Sequence, residues 1–204
     1  MGLDMYINRK VHGYRKSDGT LSQSMEDYKS DEFGCGNGET VETEVAYWRK
    51  ANAIHKWFVD NVQDGEDNCQ ESDIDINTLK RLRDTCLEVF KRMKGQVLRV
   101  PKKDVEKFKE FYGGKKEFKQ RITIDPDRLD EIENVTDYHV VADDSVCEEL
   151  LPTQEGFFFG STSYNGGYFY DLYKTIRMMD RIIKQDEEDR KNGIYPDYTY
   201  QASW

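Results

Sequence analysis

Four polar residues, Arg49, Asn52, His55 and Lys56, fall three or four positions apart in the stretch EVAYWRKANAIHKWFVDNV. On a helix that spacing brings them to one surface. Arginine offers a planar fork that fits phosphate or carboxylate, and lysine a compact point charge. Asparagine and histidine each donate and accept hydrogen bonds, which suits the edge of a base or a ribose. With Lys50 beside them, these residues have the chemistry of a pocket for a small anion. The plainer alternative is that Arg49 and Lys56 pair with acidic neighbours while Asn52 and His55 are satisfied inside the protein.

A second set is Gly160-Ser161-Thr162-Ser163-Tyr164, directly after the apolar run Phe157–Phe159. Hydroxyls and backbone amides just past a buried strand can hold an anion, so Ser161, Thr162 and Tyr164 join the candidate ligand-binding residues. The plainer alternative is that these hydroxyls cap a strand end and a turn. The run is not a phosphate loop of the GxxxxGK[ST] type, nor a GxSxG nucleophile elbow, because Tyr164 stands where that elbow needs glycine. His55 could serve as an acid–base group with Asp171 or Asp143, but nothing in the sequence brings them together. An isolated histidine on a mostly apolar helix is more often structural. No catalytic residue is assigned, and holding a ligand is expected ahead of cleaving one.

Composition narrows the partners. The chain has 204 residues and a net charge of −10. A protein that grips a long nucleic acid through its phosphates needs a basic footprint, so polymeric DNA or RNA is not expected. The basic clusters Lys80, Arg81, Arg83 and Lys91, Arg92, Lys94, and the run from Lys102 to Lys119, read as solvated helix faces. Four cysteines (Cys35, Cys69, Cys86, Cys147) and three histidines (His12, His55, His139) show no metal-ligand spacing. They read as free thiols in a reducing compartment, with no metal and no cofactor. The acidic segment QDGEDNCQESD lacks the pattern of a calcium loop. Neither a signal peptide nor a membrane-spanning run is evident, and Tyr6 spoils the myristoylation motif of the opening Met-Gly. A cytoplasmic protein is expected.

These residues must be positioned by the elements around them. Glu44–Val62 reads as one central helix, with Tyr47, Ala51, Ile54, Phe58 and Val62 as its apolar stripe and Thr40 or Thr43 as its N-cap. Residues 3–11 alternate and read as a strand, whereas residues 12–40 read as a long polar loop. Ile74–Ile76 reads as a short strand, and residues 78–94 as a helix capped by Asn77, with Leu79, Leu82, Cys86, Val89 and Met93 buried. Val97–Val100 is a short strand. KKDVEKFKEFY is a short helix, RITI a strand, PDRLDEIENV a helical turn, and DYHVVAD weakly strand-like. Phe157–Phe159 reads as a buried strand, and residues 168–190 as the last helix on Phe169, Leu172, Ile176, Met179 and Ile183. The tail IYPDYTYQASW returns to the sheet, with Trp204 as its anchor.

The blocks MGLDMY, EVAYWRKANAIHKWFVDNVQ, LLPTQEGFFFGSTSY and YQASW resemble a group of small uncharacterised proteins of bacteriophage and prophage genomes. The likeness is weakest over residues 12–38 and 96–145. It implies a phage accessory protein acting in a bacterial host cytoplasm, where such proteins often modulate metabolism or counter defence. It carries no established activity and no site residues.

The expectation is therefore a single α+β domain over residues 1–204, with a polar loop at 12–40. Its mixed or mostly antiparallel sheet is packed by about three main helices. The expected function is binding of a small anionic ligand, a nucleotide or a host immune signalling nucleotide, at Arg49, Asn52, His55, Lys56, Ser161, Thr162 and Tyr164. Two alternatives stand beside it: a protein–protein inhibitor of a host factor, and a nucleotide-cleaving enzyme using His55. Assembly into a homo-oligomer stays open.

Overall fold

The computed structural model describes residues 2–30, 36–92, 97–100, 138–141, 144–164 and 166–204. Strand β1 (Asp4–Arg15) is the centre of a five-stranded antiparallel sheet. Along one edge it pairs with β3 (Gly38–Arg49) from Asp4↔Arg49 to Tyr14↔Gly38. Along the other it meets β7 (Asp197–Ser203), and further on the two-residue β2 (Leu21–Ser22). The short β4 (Ser72–Ile74) pairs with the outer edge of β7. Helices α1 (Asn52–Val62), α2 (Ile76–Arg92) and α4 (Gly166–Lys191) complete the α+β domain, with a short α3 (Ser145–Leu150) against α2. Among the described residues no helix is long and apolar enough to cross a membrane.

Alternation in β1 explains its seat. Leu3, Met5 and Ile7 are fully buried on the core face, as a period of two requires. Tyr198, Tyr200 and Ala202 of β7 join them, so the tail does return to the sheet. The stripe Phe169, Leu172, Ile176, Met179 and Ile183 on α4 is buried throughout and packs with Leu79, Leu82, Cys86 and Val89 of α2. Burial also pushes the Cys86 thiol well above its ordinary range, so it stays a neutral core group.

The central-helix expectation is corrected. Glu44–Arg49 is the end of β3, and the helix begins only at Asn52. Val45 is the extra residue at a bulge, where the register steps from Ile7↔Ala46 to Asn8↔Glu44. Beyond the bulge Ala46 and Trp48 alternate into the core. Thr40 and Thr43 are strand residues rather than caps. Both ends of the predicted loop 12–40 are strand, since β1 runs to Arg15 and β3 starts at Gly38, with β2 and a 3-10 turn at Met25–Asp27 between them. The cap of α2 is Asp75 instead of Asn77. Its carboxylate accepts the Thr78 N–H at 2.6 Å, which also lowers its pKa. Phe157–Phe159 is a turn, not a buried strand: Phe157 is 95 % exposed and only Phe159 is buried. The expected Val97–Val100 strand (β5) pairs antiparallel with Tyr138–Val141 (β6), which lies in the DYHVVAD segment. The KKDVEKFKEFY, RITI and PDRLDEIENV expectations lie outside the described residues.

Candidate functional site

Between the end of β3 and the start of α1 the chain turns a corner at Lys50, a non-glycine residue with φ of 60°. Its N–H is held by the Leu3 carbonyl at 2.8 Å. Gly160, with φ of +90°, packs against it so closely that a Cβ there would lie 3.1 Å from the Lys50 Cβ. Only glycine adopts that conformation without strain. The corner and the 153–163 segment are therefore fixed against each other.

Asn52 fixes them further. Its side chain is 3 % exposed, and its amide nitrogen donates to the carbonyls of Phe159 at 3.1 Å and Ser161 at 2.8 Å. Its amide oxygen accepts the Gln154 N–H at 3.4 Å. The side chain thus staples the loop to the first turn of α1, satisfying backbone groups that would otherwise be buried without partners.

On the other side stands the first part of α4. Trp48 Nε1–H donates to the Thr175 hydroxyl at 2.8 Å, and that hydroxyl donates to the Asp171 carbonyl at 2.7 Å. Tyr168 O–H donates to the Leu151 carbonyl at 3.0 Å, in surroundings apolar enough to push its pKa far up. These bonds hold the α4 start opposite the corner.

The three pieces enclose a cleft of about 250 Å³. Arg49 and Lys50 line it from the corner, Thr153, Ser161 and Ser163 from the loop, and Gly167, Tyr168, Tyr170 and Asp171 from α4. Neither the Arg49 guanidinium nor the Lys50 ammonium has a hydrogen bond or ion pair among the described residues, and both residues are exposed. The first turn of α4 presents the positive end of its dipole to the same space. Burial raises the Asp171 carboxyl to about 7, against a smaller opposing pull from Lys174.

Arg49, Asn52 and Ser161 thus share one cleft, and the other candidates stand apart. His55 is fully buried. Its Nε2 faces Asp67 Oδ2 at 3.0 Å and its Nδ1 faces the Tyr200 hydroxyl at 2.8 Å, with the ring edge-on to Phe159. A proton on Nε2, donated to Asp67, leaves Nδ1 to accept from Tyr200, so the ring is satisfied. Asp171 is not its partner, and Asp143 lies outside the described residues. Lys56 pairs with Asp60 one turn along the helix at 2.9 Å. Thr162 contributes its backbone carbonyl to Thr153 Oγ1 at 3.1 Å, while Tyr164 lies edge-on to Tyr168. Neither residue lines the cleft.

Sequence reasoning missed Thr153, Tyr168, Tyr170 and the place of Asp171 in the cleft, and it left Ser163 in the candidate turn without a role. For Asp171 a signal existed: it lies three residues after Tyr168 and four before Thr175, on the buried stripe of α4, where a carboxylate is out of place. The acidic segment around Asp67 has a structural part, because the Asp67 carboxylate seats both His55 and the Trp204 indole, the latter at 3.0 Å. Among the described residues no group of side chains could hold a metal ion. Comparison with family models, with curated protein sequences and with solved structures finds no match to this chain.

Proposed function

We propose that the protein binds a small anionic ligand of the nucleotide class in the cleft between the β3–α1 corner and the start of α4. The observation that carries this reading is the pair Arg49 and Lys50: two adjacent cations without partners on the wall of a cleft that also holds three hydroxyl side chains. Elsewhere the acidic chain pairs many of its cations, as in Arg9–Asp189, Lys10–Glu71, Arg15–Glu39 and Arg92–Glu149. Two cations left unpaired beside the Ser161 and Ser163 hydroxyls and a helix N-terminus suit phosphate. At about 250 Å³ the cleft falls just below the usual range for ligand sites, roughly 300–1,000 Å³, so it suits no more than one nucleoside monophosphate unit of a ligand. The likeness to phage-encoded proteins supports a host signalling nucleotide as the source, held out of reach of its receptor.

Holding is favoured over cleavage because His55, the residue on which a cleaving enzyme was expected to rest, is taken up by Asp67 and Tyr200 away from the cleft. Thermal-shift and calorimetric titration against a panel of nucleotides test the reading. A binding nucleotide should raise the melting temperature by mass action, and Arg49→Ala should weaken it at least tenfold. Ligand released by heat should be chemically intact. No shift with any nucleotide at millimolar concentration sinks the reading. Stoichiometric capture of one host protein by both wild type and Arg49→Ala would favour the inhibitor alternative.

A further inference from the structure

We infer that the ligand is a ribonucleotide, with its phosphate on Arg49 and Lys50 and its sugar hydroxyls on the Asp171 carboxylate. This rests on the nucleotide reading above and names the class of nucleotide the cleft selects.

The cleft is lined by groups of opposite charge from two elements. One carries the two unpaired cations. The other carries Asp171, mostly buried, whose carboxyl makes no hydrogen bond or ion pair among the described residues. A carboxylate in that position is costly unless something donates to it. Its own helix does not relieve it: Thr175 takes the Asp171 backbone carbonyl and Lys174 acts only at a distance. A bare anion in the cleft would gain from Arg49 and Lys50 and lose to Asp171. A ligand that presents an anion at one end and hydroxyl donors at the other satisfies both. A ribose phosphate has that arrangement, and a carboxylate bonded to a ribose diol is a recurrent way of reading the sugar.

Dimensions and surroundings agree. A volume of about 250 Å³ has room for a single ribose phosphate. Tyr170, 47 % exposed and also lining the cleft, offers a ring face on which a base can stack. The charged and titratable groups facing Asp171 among the described residues are Arg49 and Lys50 from the corner and Lys174, Tyr168 and Tyr170 from α4. The Asp171 carboxyl, raised by burial to about 7, changes charge between pH 6 and 8. Protonation removes its negative charge and part of its capacity to accept, so selection for the diol must fade as pH falls through about 7.

The test compares each of the four ribonucleoside 5′-monophosphates with its 2′,3′-dideoxy counterpart by calorimetric titration at pH 8 and pH 6. The phosphates of each pair titrate alike, so the ratio of affinities isolates the sugar. The wild type should prefer a ribonucleotide at least tenfold at pH 8 and clearly less at pH 6. Asp171→Ala should bring the ratio near one at both pH values while keeping the dideoxy affinity. Asp171→Asn, with nearly unchanged shape, checks that the fold is kept and should give an intermediate ratio without pH dependence. Arg49→Ala should weaken both members of a pair and leave their ratio alone. Equal wild-type affinity for the two sugars at pH 8, or a ratio untouched by Asp171→Ala, overturns the inference and leaves the nucleotide reading standing. Failure of all eight nucleotides to bind overturns both.

Discussion

Polar groups gather at two places around helix α1, and the two differ in how they are completed. At its start, Arg49, Lys50 and, across the cleft, Asp171 are left without hydrogen-bond or ionic partners among the described residues. One turn further, His55 is closed on both ring nitrogens by Asp67 and Tyr200, and the Asp67 carboxylate also takes the Trp204 indole N–H. Both places would look like sites from residue type alone. The second is a buried polar network that ties α1 to the acidic turn and to the last strand. Such a network specifies a fold when every member is satisfied. The first has groups of both signs that no side chain among the described residues completes. A polar residue on a buried helix therefore points to a ligand only after its internal partners have been accounted for.

The comparison breaks most visibly at His55. His55→Ala should cost about 3–4 kcal/mol of stability in a urea titration, because it opens a cavity under Phe159 and leaves the Tyr200 hydroxyl and Asp67 short of a partner. Any folded fraction should still bind nucleotide with near wild-type affinity. A stable His55→Ala protein that has lost binding would move the site from the cleft to the network.

Asn52 lines the cleft but, like His55, is completed internally, since its amide is consumed by the loop. Asn52→Ala should cost about 2 kcal/mol by orphaning the carbonyls of Phe159 and Ser161. Hydrogen exchange should report faster opening of the 153–163 segment than of β1 or α4. Unchanged exchange there would mean that the Lys50–Gly160 contact alone holds the loop.

How much of this was legible in the sequence follows the same division. Elements that bury one face were readable. The alternation of β1, the stripes of α2 and α4 and the return of the tail to the sheet all express a core. The outer part of the β1–β3 ribbon was not readable. From Gly38 to Glu44 every residue of β3 is exposed, so no apolar pattern marks it, and only the β-branched residues Thr40, Val41 and Thr43 hinted at strand. Glu44–Arg49 misled for a different reason. Tyr47, Ala51, Ile54 and Phe58 fit a helical period, but the same stretch also alternates, with Ala46 and Trp48 inward. A six-residue segment ahead of a true helix does not decide between the two periods. In the site, Arg49 and Ser161 were found through chemistry. They meet because the strand ends there and the chain turns at Lys50, not because a helix face carries them.

The Asp171 carboxyl gives a pH signature that separates the cleft from the network. Its folded pKa is raised to about 7, above the ordinary aspartate value of about 3.9. Between those values the folded state binds more protons than the unfolded one, so stability from this group is present at low pH and lost as pH rises from about 4 to about 7. Water in the cleft weakens the effect, to about 1–2 kcal/mol. Asp171→Asn should therefore be more stable than wild type at pH 8 by about that amount, and the advantage should vanish near pH 4. Equal stability of the two proteins at pH 8 would mean that the carboxyl is better solvated, or better partnered, than its place on α4 indicates.

The smallest effect is expected at Lys56, which falls in neither place. Helical spacing grouped it with Arg49 and Asn52, but Arg49 is on a strand and Lys56 points along α1 to Asp60. An exposed pair one turn apart contributes about 0.3–0.5 kcal/mol. Lys56→Ala should change stability by no more than that, and most of the change should disappear in high salt, where surface charges are screened. Its affinity for nucleotide should match the wild type within twofold, while Arg49→Ala and Lys50→Ala both lose at least tenfold. The contrast is sharp because all three substitutions remove one positive charge from the same short stretch of chain. If Lys56→Ala weakened binding as much as Arg49→Ala, the nucleotide would be answering to the net charge of that stretch and not to the corner at Lys50, and the cleft would lose its claim to be the site.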